Sequence, residues 1–103
     1  MDSQGFLIIA NGEWPPESIW LPLTAQSKCV IACDGAAAQC FENDVKMDVV
    51  IGDMDSLSEH DERRLRDDDN VAFVRQTGQE ENDLVKAMKW SIKQGAESIE
   101  VFG

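Results

Sequence analysis

The sequence contains few basic residues, no long apolar run and no cysteines at the spacing of a zinc site. Nine Lys and Arg stand against 20 Asp and Glu, which gives a formal net charge of −11. Such an acidic chain argues against nucleic acid or an anionic membrane as a partner. No segment approaches the roughly 20 apolar residues of a membrane span. An anionic small molecule is still allowed, because a bridging divalent cation reverses the local sign of the charge.

The three cysteines are odd in number and fit no zinc spacing. Cys29 and Cys33 fall within an apolar segment, where a free thiol behaves as a small apolar side chain. We expect these two and Cys40 to be reduced and buried, which indicates a reducing compartment. The first residues carry neither a basic segment nor the apolar stretch of a signal peptide. The sequence therefore predicts a cytoplasmic protein.

A length of 103 residues with 43% apolar content predicts one domain, 1–103, with its own core. Short apolar segments alternate with helical patterns, which is typical of parallel strands covered by helices on both faces. We therefore predict an α/β fold, a three-layer α/β/α sandwich with a mainly parallel, Rossmann-like sheet. The predicted strands are 6–10, 29–33, 48–51, 71–74 and 98–102.

Helices are predicted between these strands. Pro15 and Pro16 can open the first helix, and Pro22 is expected to end it. The other predicted helices are 36–42, 57–66 and one that ends near Gly95. The fifth strand is followed at once by Gly103, at a position where the other strands lead into polar loops. The chain is therefore expected to be the N-terminal piece of a longer protein.

Three acidic clusters at strand ends or a helix start are the most informative feature of the chain. They are Asp34-Gly35, Gly52-Asp53-Met54-Asp55-Ser56 and Glu80-Glu81-Asn82-Asp83. The carboxyl ends of parallel strands meet at one edge of a sheet, where ligands collect, so we expect at least four carboxylates there. Carboxylates this close repel one another unless a cation lies between them. The clusters therefore predict a Mg²⁺ site that holds a polyphosphate.

Each cluster also has an ordinary structural interpretation. Asp53 and Asp55 can direct oxygens to one octahedral ion from an i, i+2 turn. Asp-x-Asp turns with a serine cap, here Ser56, also occur in ordinary loops. Asp34-Gly35 is equally compatible with a tight turn. The argument for a site comes from the placement of all three clusters on the same predicted edge.

The start of the last helix is open to two interpretations as well. Asp83 can be a metal ligand or a first-turn carboxylate that the helix dipole favours. Lys86, one turn later, can be an i, i+3 partner of Asp83 or can reach a phosphate.

The order of these motifs resembles the thiamine pyrophosphokinase (thiamin diphosphokinase) family. The matching segments are Asn11-Gly12, Asp34-Gly35-Ala36-Ala37, Gly52-Asp53-Met54-Asp55-Ser56 and Gln79-Glu80-Glu81-Asn82-Asp83-Leu84-Val85-Lys86-Ala87. They extend over nearly the whole chain. Ala38 departs from the pattern, since the family usually has Asn there. The family's Gly-Gly-Arg-x-Asp-His segment and C-terminal β-sandwich domain are not in the sequence.

The resemblance implies transfer of the diphosphate of ATP to thiamine, with Mg²⁺ bound and with a homodimer as the full-length form. By the match, Asp53, Asp55 and Asp83 bind Mg²⁺ and act in catalysis together with Asp34, which lies beside the nucleotide phosphates. The nucleotide-binding positions implied in addition to Asp34 are Gly35, Ser56, Gln79 and Lys86. The family's thiamine site needs the second domain, so the 103-residue chain alone is expected to be inactive.

Two other classes of protein remain open. A phosphatase of the haloacid-dehalogenase type also places Asp-x-Asp after a strand, with the first aspartate as nucleophile. That motif normally follows the first strand, whereas two strands precede Asp53 here. A non-catalytic α/β regulatory module is the other class, and it would show no Mg²⁺-dependent nucleotide binding.

Overall fold

A computed structural model of the chain describes residues 5–52, 59–67, 71–75 and 83–103. Within these ranges five strands form one sheet. They are β1 (Gly5–Ile9), β2 (Cys29–Cys33), β3 (Val49–Gly52), β4 (Ala72–Arg75) and β5 (Ser98–Phe102). Neighbouring strands are all parallel, in the order β4-β3-β2-β1-β5. The five predicted strands are confirmed, with β1, β3 and β4 shifted by one residue.

Helices connect the strands. They are α1 (Glu17–Gln26), α2 (Ala37–Glu42), α3 (Glu59–Arg66) and α4 (Asp83–Lys93), and a 3₁₀ turn at Asp34–Ala36 precedes α2. Residues 57 and 58, with which the third helix was predicted to begin, lie outside the described residues. No helix in the described part of the chain is long and apolar enough to cross a bilayer.

Alternate side chains of the strands enter two separate cores, as buried strands require. On one face Leu7 packs in a cluster that includes Trp20 of α1 and Cys40 of α2. On the other face Ile8 packs in a cluster that includes Ala87 of α4. The predicted three-layer sandwich is therefore confirmed, with α1 and α2 on one face and α4 on the other.

The prediction that Pro22 ends the first helix is wrong. The helix begins after Pro16, which stands at the N-cap position, and continues through Pro22 to Gln26. Pro22 cannot donate to the carbonyl of Ser18, but both residues are exposed, so water can satisfy that carbonyl. Trp20 is only 7% exposed and anchors the helix to the core. Tertiary packing thus outweighs the local effect of proline.

Asp48 connects three strands at the amino edge of the sheet. Its backbone N–H donates to the Val30 carbonyl at 2.8 Å, and its carboxylate accepts the Val30 N–H at 2.8 Å. Its own carbonyl accepts the Ala72 N–H at 2.9 Å. These bonds hold the starts of β2, β3 and β4 in register, so their carboxyl ends lie side by side.

Candidate functional site

The carboxyl edge of the sheet brings together polar residues and glycines from separate loops. β1 is followed by Asn11 and Gly12, β2 is followed by Asp34, and β3 ends in Gly52. These strands are parallel neighbours, so the residues lie along one edge, where open α/β sheets bind ligands. Asp34 begins the 3₁₀ turn and is only 1% exposed.

Asp34 occupies the space that a side chain at position 52 would need. A β-carbon built on Gly52 would lie 2.8 Å from both Cγ and Oδ2 of Asp34. Gly52 also has a φ of +148°, which residues with a side chain rarely adopt. For both reasons the last residue of β3, which faces the buried carboxylate, must be glycine. The next residue in the sequence is Asp53, so this glycine lies between two of the predicted acidic positions.

The same arrangement recurs at the neighbouring loops. A β-carbon on Gly35 would lie 2.7 Å from Cγ of Asn11. A β-carbon on Gly12 would lie 2.6 Å from the carbonyl carbon of Gly103, the residue after β5. Each loop therefore makes room for its neighbour by carrying a glycine, and the loops interlock along the carboxyl edge.

Asp83 and Lys86 lie together at the start of α4. The Nζ atom of Lys86 is 3.8 Å from Oδ1 of Asp83. Lys86 is 8% exposed, and a buried ammonium group needs a nearby anion because its desolvation is expensive. Of the two interpretations of Lys86, the ion pair with Asp83 is therefore observed. Contact of Lys86 with a phosphate stays a prediction.

The thiol of Cys33 lies within electrostatic reach of Asp34, its neighbour in the chain, and of Asp83 on α4. Burial raises the pKa of Cys33 from 9.0 to about 12, and the nearby carboxylates of Asp83 and Asp34 also raise it. A single thiol at the end of β2 is therefore close to an acid from the β2 loop and to an acid from α4. The fold brings these two predicted site residues into one electrostatic environment.

Four predicted site residues lie outside the described residues, and their roles stay predictions. They are Asp53, Asp55, Ser56 and Gln79. Within the described ranges, no three His, Cys, Asp or Glu side chains are grouped as a metal site would require. Asp34 and Asp83 supply carboxylate oxygens, the ligands that Mg²⁺ prefers. The donor chemistry at this edge fits Mg²⁺, and a full set of ligands would have to include the acids that follow Gly52.

A concave pocket of about 220 Å³ lies elsewhere, among residues that precede β3 and β4. Its lining includes Phe41, Lys46, Arg64 and Val71. The guanidinium carbon of Arg64 lies 4.0 Å from the centre of the Phe41 ring, a cation–π contact that joins α3 to α2. None of the predicted site residues in the described ranges lines this pocket. Its volume alone does not make it the functional site.

Sequence reasoning missed two features of the carboxyl edge. In the sequence Asn11 stands out only as part of a motif, because Asn-Gly after a strand is normally a turn signal. The burial of Lys86 was not foreseen, because lysine is almost never fully buried. A signal for Asn11 was present, since three strand ends in succession pair a polar residue with glycine: Asn11-Gly12, Asp34-Gly35 and Gly52-Asp53.

Comparison with known proteins places the chain in a family. The family described as thiamin pyrophosphokinase, catalytic domain, matches residues 21–103. No curated protein sequence matches significantly. Among solved structures, yeast thiamin pyrophosphokinase has a TM-score of 0.76 at 24% identity, over 87% of this chain and 31% of that chain. Thiamine pyrophosphokinase from Bacillus subtilis has a TM-score of 0.75 at 20% identity, over 95% of this chain and 46% of that chain.

The thiamin pyrophosphokinase of Candida albicans is similar too, with a TM-score of 0.69 at 23% identity, over 82% of this chain and 30% of that chain. The chain thus spans less than half the length of these three solved relatives. At these identities the structural likeness shows the α/β fold. The family match shows more than the fold, because the matched residues include every candidate site position from Asp34 to Lys86. On that match, the chain belongs to the family of thiamin pyrophosphokinase catalytic domains.

Proposed function

We propose that the chain is the ATP- and Mg²⁺-binding catalytic domain of a thiamine pyrophosphokinase. The reaction would move the diphosphate of ATP to thiamine, giving thiamine diphosphate and AMP. The observation that most supports this proposal is the buried carboxylate of Asp34 at the carboxyl edge, packed against Gly52, the residue that directly precedes Asp53. Membership of the family supplies the reaction class, a transferase of the kinase type.

In this proposal Asp53, Asp55 and Asp83 hold Mg²⁺, and Asp34 stands beside the nucleotide phosphates. Bound Mg²⁺ would neutralise the polyphosphate and stabilise the charge that develops during transfer. Transfer of this kind depends mainly on positioning and electrostatics, so no side-chain nucleophile is required. The remaining nucleotide contacts are assigned to Gly35, Ser56, Gln79 and Lys86.

The described residues support the proposal through preorganisation. Asp34 is buried against Gly52, and Lys86 is buried beside Asp83. Their positions are therefore set by packing. Charged groups that packing holds in place need little reorganisation when a ligand binds, and this is how electrostatic stabilisation becomes effective.

Calorimetric titration with MgATP tests the proposal on the chain itself. We expect the wild-type chain to bind MgATP and to lose this binding in EDTA. Asp55→Asn should weaken binding by roughly 30-fold, the scale of a lost interaction with a charged group. The control is Asp44→Asn, because Asp44 is exposed and has a φ of 55° that asparagine also adopts. Equal affinities of Asp55→Asn and wild type would refute the metal role.

Experiments on the same chain also distinguish the proposal from two alternatives, a phosphatase and a regulatory module, which the family match does not favour. A phosphatase of the haloacid-dehalogenase type would form a trapped aspartyl-phosphate on Asp53. A regulatory module would bind no ATP in a Mg²⁺-dependent way.

We further propose that thiamine turnover depends on parts of the enzyme outside this domain, since the chain covers only 30–46% of the three solved relatives. The 103-residue chain with MgATP and thiamine should bind nucleotide without producing AMP. Production of thiamine diphosphate by the chain alone would show that turnover does not depend on parts outside this domain. A homodimer as the full-length form and a cytoplasmic location belong to the same proposal.

A further inference from the structure

We infer that Asn11 is a further ligand-binding residue of the carboxyl edge, which donates its side-chain amide N–H to the anionic oxygens of a phosphate-bearing ligand. The inference rests on the proposed function and extends it, because that proposal assigns no role to Asn11.

Asn11 lies where the order of the strands reverses. The chain passes from β1 outward to β4 and then returns to the other side of β1, where β5 pairs with it. Open α/β sheets bind ligands in the crevice at such a point, beyond the carboxyl ends of the strands. Asn11 follows the end of β1 by two residues and is exposed. The neighbouring Gly12 lies against Gly103, so the surface beside Asn11 is formed by backbone.

The side chain of Asn11 has a defined place in the structure. Its Cγ lies 2.7 Å, and its Cβ 3.2 Å, from the point where a β-carbon of residue 35 would be. Because residue 35 is glycine, the amide can rest against the backbone that follows Asp34. Along the edge, the Asn11 amide is therefore the next polar side chain after the buried carboxylate.

A phosphate bound at this edge would need hydrogen-bond donors. Ionised carboxylates accept hydrogen bonds only, so Asp34 and Asp83 cannot bind phosphate oxygens directly. Among the side chains described above at this edge, the donors are Asn11 and Lys86, and Lys86 already faces Asp83 at 3.8 Å. A carboxamide is neutral and donates from Nδ2. It can lie next to a carboxylate and still bind an anion.

Titration of the 103-residue chain with MgATP, magnesium tripolyphosphate and adenosine tests the inference. Asn11→Ala should weaken binding of the first two roughly tenfold, as expected for one hydrogen bond to a charged group. Asn11→Asp should weaken it further, because like charges repel. The matched control is Asn43→Ala. Asn43 is exposed at the end of α2, where its Nδ2 donates to the Gln39 carbonyl at 2.8 Å, and its loss should leave all affinities unchanged.

Gly35→Ala tests whether position 35 acts through Asn11. The new β-carbon would displace the flexible end of the Asn11 side chain, so affinity should fall about as far as in Asn11→Ala, with the melting temperature retained. In the Asn11→Ala background, Gly35→Ala should then add little, because residues that share one interaction are not additive. Full MgATP affinity in Gly35→Ala would show that the position of the Asn11 amide does not matter for binding, against the inference.

The outcomes separate this inference from the proposed function. If the wild-type chain binds neither MgATP nor tripolyphosphate, both fail. If the wild type binds both and Asn11→Ala binds them equally well, only the assignment of Asn11 fails. A loss of adenosine affinity as large as that for MgATP would place the contact at the nucleoside and overturn the anion assignment.

Discussion

At the scale of single residues, a glycine at the end of β3 makes room for the acidic side chain that follows β2. Asp34 is buried because Gly52, on the neighbouring strand, leaves room for its carboxylate. The requirement at position 52 is double, since the backbone there has a φ of +148° and the space is already occupied.

Gly52→Ala should therefore lower the free energy of unfolding by about 2–4 kcal/mol, as backbone strain of about 1–3 kcal/mol is added to displacement of a buried carboxylate. Gly95→Ala is the control for strain alone. Gly95 has a φ of +88°, and nothing lies within 4 Å of an added β-carbon. Urea denaturation of both variants measures the difference. Equal losses would show that the contact with Asp34 contributes nothing.

The cysteine thiols give a second prediction at this scale. Burial raises the pKa of Cys33 and Cys40 from 9.0 to about 12, and burial with the nearby Asp48 carboxylate raises that of Cys29 to about 11. The folded chain then keeps protons that the unfolded chain loses, so stability should fall as pH rises above about 9. Each thiol lowers the free energy of unfolding by at most about 1.4 kcal/mol per pH unit in this range.

Urea denaturation at pH 8 and pH 10 checks this expectation. Cys33→Ala should reduce the loss of stability between the two pH values. All three thiols should also react slowly with a thiol reagent near neutral pH. Cys29 should react first, because it is half-buried whereas Cys33 and Cys40 are buried. An unchanged loss of stability in Cys33→Ala would contradict the assigned burial effect.

At the scale of secondary-structure elements, α4 carries Asp83 and Lys86 to the candidate site. The helix lies against the sheet through Ala87, which is completely buried. The small side chain allows the helix to approach closely. The positions of Asp83 and Lys86 therefore depend on the packing of Ala87, which lies one turn after Asp83 and directly follows Lys86.

Ala87→Leu should overpack this contact and cost about 1–3 kcal/mol of stability. It should also weaken MgATP binding, because the helix that carries Asp83 is pushed away from the sheet. Ala25→Leu in α1 is the matched control, since Ala25 is exposed and surface changes stay within about 0.5 kcal/mol. Thermal unfolding and calorimetry measure both effects. Full MgATP affinity in a destabilised Ala87→Leu chain would argue against this coupling.

At the scale of the whole molecule, excess negative charge sets the response to cations. The net charge is −11, and repulsion among these charges destabilises the compact state. Any salt reduces this repulsion by screening. A cation that binds at the carboxyl edge stabilises the folded chain further, because it binds the native state only.

MgCl₂ should therefore raise the melting temperature more than NaCl at equal ionic strength, and EDTA should reverse the difference. Asp83→Asn should remove most of the Mg²⁺-specific part. Asp67→Asn, which removes the same charge from an exposed position at the end of α3, should keep it. Equal effects of the two salts on the wild-type chain would refute a magnesium site in the free chain.

The sequence predicted correctly the features that depend on neighbouring residues. It missed features that depend on contacts between distant parts of the chain. β2 and β5 were placed correctly because β2 is a short apolar run and β5 alternates apolar Ile99 and Val101 with polar neighbours, and both patterns are local. The end of α1 was placed wrongly, because Trp20 holds the helix to the core beyond a local breaker, Pro22. The burial of Lys86 also escaped prediction, since it depends on the packing of α4 against the sheet.

The sequence by itself determined the alternation of strands and helices, the acidic positions at their ends and the family motifs, because these are written in neighbouring residues. Only the tertiary structure decided which residues lie together: Asn11 beside Gly35, Asp34 beside Gly52, and Ala87 against the sheet. The physical reason is that such contacts depend on strand order and register, which arise from packing between residues far apart in the chain.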